Sequence, residues 1–212
     1  MASLKILLIV DKFIPEVGAA AIQYYELGKQ LVSQGHKVKV LTTVARYIGH
    51  PVQHPKNNIY IKEHLDGIVV YRIWLPEVEK GNLIKRGFEH VKLRKFMISI
   101  AKRFISPPDV ILVYSPPLHM ADVGKYVSKY YKVPLVLNVQ DLFPKEAIQM
   151  GLLKNRLLIK YFEWKELSVY SAADLITVHS EKNAYHVIGR LREHQHNKVT
   201  VVENWVNSEN IK

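Results

Sequence analysis

A carboxylate stands where work on a hydroxyl would need one. Asp141, in "VQDLFP", follows a short apolar run. A carboxylate at such a place can accept hydrogen bonds from a ligand's hydroxyls and help orient a nucleophile. Asp is also a favoured helix N-cap, and "DLFPKEA" fits that role too. Gln140 and Lys145 are its neighbours; Lys145 could meet a phosphate or simply lie in solvent. A second place for chemistry is the loop in "VDKFIPEVGAAAIQYYELGKQL", where Gly18 and Ala19 open a helix behind an apolar run. Small residues there let a ligand approach the backbone, and a helix N-terminus favours negative charge. They equally allow tight packing on a sheet, so the residues alone leave both roles open.

Other chemistries are excluded or weakened. A dinucleotide fingerprint needs three glycines as G-x-G-x-x-G, and this loop holds only Gly18. No G-x-x-x-x-G-K-[ST] phosphate loop occurs. The chain has no cysteine, which removes disulfides and thiolate zinc sites. His194 with His196, and His50 with His54, are close pairs without a third histidine, so no metal or other cofactor is expected.

These residues need a frame to hold them. Seven runs rich in Val and Ile, at 5–10, 37–43, 67–74, 109–115, 134–140, 174–180 and 198–203, have the near-continuous apolar character of strands covered on both faces. Helical stretches fall between most of them, at about 18–34, 83–105, 119–131, 155–172 and 181–191. Gly35 suits a helix end, Asp66-Gly67 suits a hairpin, and Pro107-Pro108 stops the second helix. Alternating strands and helices predict a doubly wound α/β domain with a mainly parallel, Rossmann-like sheet of about seven strands. Ligands of such sheets sit beyond the carboxyl ends of the strands. That rule selects the loops 11–18, 42–47, 115–119, 140–146, 180–183 and 204–207.

Charge points to an acidic partner. Thirty Lys and Arg oppose nineteen Asp and Glu, a net charge of +11. No stretch has the ~20 consecutive apolar residues needed to span a bilayer. The apolar start "LKILLIV" runs straight into Asp11 and Lys12, as a buried strand would, rather than a signal peptide. The helix at 83–105 carries seven Lys and Arg and one Glu. At ~100° per residue, Lys85, Lys92, Lys95, Lys102 and Arg103 share roughly a quarter turn, with Ile84, Phe88 and Phe96 on or beside it. Such a face suits an anionic membrane surface, where five basic residues contribute at most ~5 kcal/mol. A solvated helix face is the plainer alternative. No nucleic-acid motif accompanies the charge, so no nucleic acid is expected.

An ordered set of segments resembles one family. "FIPEVGAAAIQYYELGKQLVSQGHKVKVLT" is similar to the opening of group 1 (family 4) retaining glycosyltransferases of the GT-B fold. "DVILVYSPPL" resembles their fourth strand. "PLVLNVQDLFPKEAIQMG" is similar to a segment of the bacterial branch that assembles surface polysaccharides, including amino-sugar transferases. "SAADLITVHSEKNAYHVI" and "VTVVENWVN" resemble the end of the family's N-terminal domain and the start of its interdomain linker.

The resemblance implies an N-terminal, acceptor-side domain over 1–204 and the start of a linker over 205–212, with the C-terminal donor-binding domain absent. The family's E-x7-E pair belongs to that second domain, and no two glutamates here are eight positions apart. Gly18 matches the family's loop glycine, with Ala19 where many members carry a second. Ser115 in "YSPPL" takes the place of a histidine found in some relatives; His119, four residues on, need not replace it. The implied partners are a nucleotide-sugar donor, a lipid-linked glycan acceptor and an anionic membrane surface. The implied setting is cytoplasmic, peripheral on the inner face of the plasma membrane, and the fragment alone is expected to be inactive. The competing expectation is a standalone Rossmann-like binding module that docks at such a surface without catalysis. Asn204 is expected to close the linker turn, and Trp205 to pack at the domain junction.

Overall fold

A computed structural model of the chain describes residues 2–44, 60–74 and 83–205, with 83–90 described as backbone. Its first half runs β1 (Lys5–Ile9), α1 (Ala19–Ser33), β2 (Lys37–Thr43), β3 (Tyr60–Leu65), β4 (Ile68–Ile73) and α2 (Leu83–Phe104). It continues with β5 (Val110–Ser115), α3 (Leu118–Tyr131), β6 (Leu135–Val139), α4 (Lys145–Gln149) and α5 (Arg156–Ala172). β7 (Leu175–Val178), α6 (Glu181–Arg190), a 3-10 turn (Glu193–Lys198) and β8 (Val199–Val201) complete it.

The strands form one sheet in the order β3-β4-β2-β1-β5-β6-β7-β8. All neighbours are parallel except β3 and β4. The doubly wound α/β expectation holds, with an eighth strand. That strand, β3, escapes a search for apolar runs because it lies at the sheet edge, where Lys62 and His64 are exposed on one face and Glu63 turns to the other to meet Arg72. The hairpin at Asp66-Gly67 is as expected, with φ of 46° and 81° at the two turn residues. Gly67 is required twice over, since a Cβ there would also lie 2.7 Å from Val32.

Alternate residues of each strand feed two cores, one on each face. Leu7 and Ile9 of β1 join Leu93 and Met97 of α2 and Met120 and Val123 of α3. Ile6 and Leu8 face Tyr24 of α1 instead. α3 lies so close to the sheet at Gly124 that a Cβ would come within 2.3 Å of Val113. This contact fixes the height of α3, and with it the residues on its first turn.

On α2 the buried arc comprises Leu93, Met97, Ile100 and Ala101. Phe96 packs partly against that core. It therefore does not stand among the lysines: it lies only about 40° from Ile100 around the helix, close enough to tuck inward. The exposed apolar residue beside the basic arc is Val91. Ile84, Phe88 and Lys85 lie outside the described side chains, and the tail from residue 206 lies outside the described residues.

Candidate functional site

The order in which strands are added reverses between the parallel neighbours β1 and β5. Loops leaving these strands diverge and open a crevice at the carboxyl edge. Two loops bound it: residues 10–18 after β1 and 116–117 after β5.

The first loop is held from below. The Asp11 carbonyl accepts three bonds from β2: from Thr43 N at 3.3 Å, Thr43 Oγ1 at 2.7 Å and Thr42 Oγ1 at 3.1 Å. Buried Arg72 of β4 donates to the carbonyls of Phe13 and Ile14, and its Nε donates to Glu63 at 2.6 Å. The arginine spends its donors on a loop backbone that has no sheet partner, which leaves few unsatisfied groups beneath the crevice. Gly18 then precedes α1 in an extended conformation, and nothing lies within 4 Å of where its Cβ would be. Tight packing therefore does not explain Gly18. The space before it is open, and Ala19 is exposed.

Across the crevice, His119 stands on the first turn of α3. Its Nε2 lies 4.0 Å from Asp11 Oδ1. A carboxylate beside an imidazole can set the ring's orientation and its tautomer. The sequence reading gives neither residue a role, and names His119 only as a histidine that need not replace the one found in some relatives. The signal available was position alone: both fall in loops that the carboxyl-end rule selects.

Asp141 lies one strand further along, just past β6, and is exposed. It does not cap a helix, because α4 begins at Lys145 with Pro144 in the cap position and no side-chain cap. Among the described residues its carboxylate makes no hydrogen bond or ion pair. Partial desolvation of the carboxyl holds it above the usual range, Glu146 adds to this, and His179 pulls the other way. Burial, and then the Asp141 charge, likewise raise the Tyr114 hydroxyl. Tyr114 meets Tyr24 of α1 edge to face at 5.4 Å.

The remaining expected residues separate. Ser115 is buried at the end of β5, its carbonyl accepting from Gln140 N at 2.8 Å. Gln140 is buried and donates through Nε2 to Asn138, which donates to Thr177, so its side chain belongs to a polar ladder inside the sheet. Lys145 lines a different cavity of about 170 Å³ with Glu163, Glu166, His186 and Arg190. Ser180 caps α6, its Oγ accepting from Asn183 N at 3.4 Å. Trp205 donates through its indole to the Gln23 carbonyl of α1 at 3.3 Å. Lys92, Lys95, Lys102 and Arg103 are exposed along α2, and Lys102 Nζ stands 4.4 Å from the Tyr130 ring centre. Among the described residues no three His, Asp or Glu side chains gather as a metal site would require. No described helix is long and apolar enough to cross a membrane.

Comparison with known proteins adds to this geometry. The family model described as Glycosyltransferase Family 4 matches residues 20–210. No curated protein sequence matches the chain. Among solved structures, the chain is similar to the catalytic domain of starch synthase IV from Arabidopsis thaliana bound to ADP and acarbose. The identity is 13%, the TM-score is 0.63, and the match covers 98% of this chain and 53% of that one. It is similar to sucrose-phosphate synthase from Thermosynechococcus elongatus at 12% identity and a TM-score of 0.64, covering 94% and 48%. It is also similar to Anabaena HepE in complex with UDP and glucose at 15% identity and a TM-score of 0.52, covering 96% and 45%. At such identities these likenesses concern the fold. The chain spans about half the length of the solved structures it matches.

Proposed function

The chain belongs to glycosyltransferase family 4, and on that premise we propose that it forms the acceptor side of a retaining sugar transfer. The donor is a nucleotide-linked sugar, in keeping with neighbours described with ADP or UDP bound. The acceptor is a lipid-linked glycan of cell-surface polysaccharide synthesis. A second, donor-binding domain faces the carboxyl edge of this sheet and completes the reaction.

The observation that carries the reading is the carboxyl-edge crevice, with Asp11 and His119 across the switch point and Asp141, which forms no hydrogen bond or ion pair among the described residues, one strand along. The acceptor oxygen bonds to the anomeric carbon, and the bond from that carbon to the diphosphate oxygen breaks. The hydroxyl proton passes to the departing diphosphate. Asp141 and His119 orient the hydroxyl by hydrogen bonds, and the open space before Gly18 admits the diphosphate beside the start of α1.

The same reading places the domain peripherally on an anionic membrane, at the inner face of the plasma membrane. Two features support it. The exposed lysines and Arg103 line α2, and α5 shows an exposed stripe of Leu157, Leu158, Tyr161 and Trp164.

The test supplies the chain, alone and joined to a donor-binding domain of the family, with nucleotide-linked sugars and a short lipid-linked glycan. Transfer by the joined protein that falls with Asp141→Asn supports the reading. Transfer to soluble glycans with none to the lipid-linked one rejects the acceptor class. Unaltered transfer by Asp141→Asn rejects the site.

A further inference from the structure

Beside the crevice lies a cavity of about 330 Å³ between α2, α5 and the loop leading into α3. Val91, Leu118, Phe143, Tyr161 and Phe162 give it an apolar lining, with Pro116 and Pro117 at its base. His119 lines it too, so one side chain borders both the cavity and the Asp11 crevice. Its size and lining are those of a site for a small, mostly apolar ligand.

Charge narrows the ligand. Arg94 and Lys165 both line the cavity, and both reach the buried Asp122 carboxylate, at 3.4 Å and 2.5 Å. Among the described residues two cations share one anion, which leaves an excess positive charge at an apolar wall. Arg94 Nε is buried and without a hydrogen-bond partner among the described residues. An unpaired donor on a charged group in such a place is costly unless a ligand meets it. Two lining residues, Val91 of α2 and Tyr161 of α5, are themselves exposed, and α5 also exposes Leu157, Leu158 and Trp164.

We propose that this cavity binds a lipid phosphate: its first apolar segment fills the space between α2 and α5, and its phosphate meets Arg94 and Lys165. The chain would continue over the α5 stripe toward a bilayer. The head would emerge next to His119, at the place where the proposed acceptor hydroxyl must arrive. The assignment deepens the acceptor reading above and rests on it for its purpose, although binding itself can be measured without any transfer.

The experiment titrates the 212-residue chain with decyl phosphate, kept below its aggregation limit, and separately with decanol and with inorganic phosphate, by calorimetry. Decyl phosphate should bind at least tenfold more tightly than either fragment. Val91→Trp, which crowds the mouth from an exposed position, and Tyr161→Ser, which strips one wall, should each weaken it at least tenfold while circular dichroism stays unchanged. Arg94→Gln should weaken decyl phosphate and leave decanol unaffected. Equal binding by the wild type and both mouth variants overturns the site. Decanol binding as tightly as decyl phosphate overturns the phosphate assignment. If the joined enzyme glycosylates only soluble acceptors while decyl phosphate binds as expected, the acceptor reading fails and the lipid site stands.

Discussion

His119 Nε2 faces Asp11 Oδ1 at 4.0 Å across the gap between β1 and β5. The two residues come from opposite halves of the doubly wound sheet, so only the folded switch point brings them together. If the pair orients an acceptor hydroxyl, His119→Ala should lower kcat by about 10²-fold, the lower end for a positioned acid–base group. Asp11→Asn should cost less, because it keeps a hydrogen-bonding group beside the ring. Thermal stability should barely change in either variant. Steady-state kinetics on the joined enzyme checks this, and a full-rate His119→Ala enzyme removes the pair from the mechanism.

Arg72 anchors the loop that carries Asp11. It is 3% exposed, and it holds two loop carbonyls as well as Glu63. Arg72→Met should destabilise the domain by about 2–4 kcal/mol, because buried carbonyls and one carboxylate lose their donor. Arg72→Lys should restore only part of the loss, since one ammonium cannot reproduce the planar fork. Urea unfolding measures both, and equal stability of the three proteins would contradict the anchoring role.

The parts of this fold that were legible in the sequence are those governed by local rules. The five long helices begin and end within about two residues of expectation, because punctuation such as Gly35 and Pro107 is local. β3 was not legible as a buried run, since an edge strand need not be apolar. The position of Asp141 beyond β6 was legible because it follows an obvious strand. The Asp11–His119 pair was not, because its 108-residue separation carries no periodic signal and depends on strand order. Arg72 hid inside "IVVYRI" as one polar residue in a buried strand; such a residue marks a partner elsewhere without naming it.

Asp141 should trade stability for use of the site. Its carboxyl is held above the ordinary 3.8 by burial first and by Glu146 next. The folded state then binds its proton more readily than the unfolded chain does. The group's contribution to stability is whole below about pH 3.8 and is lost as pH rises through the folded value. Asp141→Asn removes that loss. Its melting temperature should therefore exceed the wild type's at pH 7, with the difference vanishing near pH 3, while turnover of the joined enzyme falls. A variant less stable than the wild type at pH 7 would show that the carboxylate is satisfied after all.

Membrane contact can be separated from core packing on a single helix. Lys92, Lys95, Lys102 and Arg103 are exposed on α2, whereas Phe96 packs against the core. Each basic residue near an anionic leaflet contributes about 1 kcal/mol, so replacing three lysines by Gln should weaken vesicle binding by roughly 10²-fold. That variant should melt with the wild type, because exposed charges of one sign add little to stability. Phe96→Ser should behave oppositely: lower stability from a lost core contact, and unchanged binding by the fraction still folded. Val91→Ser should weaken vesicle binding modestly at normal stability, since Val91 is the exposed apolar residue beside the lysines. Sedimentation with vesicles of neutral lipid, and of neutral lipid with phosphatidylserine, in low and high salt, measures each effect. Binding that ignores salt and anionic lipid would mean that the basic arc is only a solvated face.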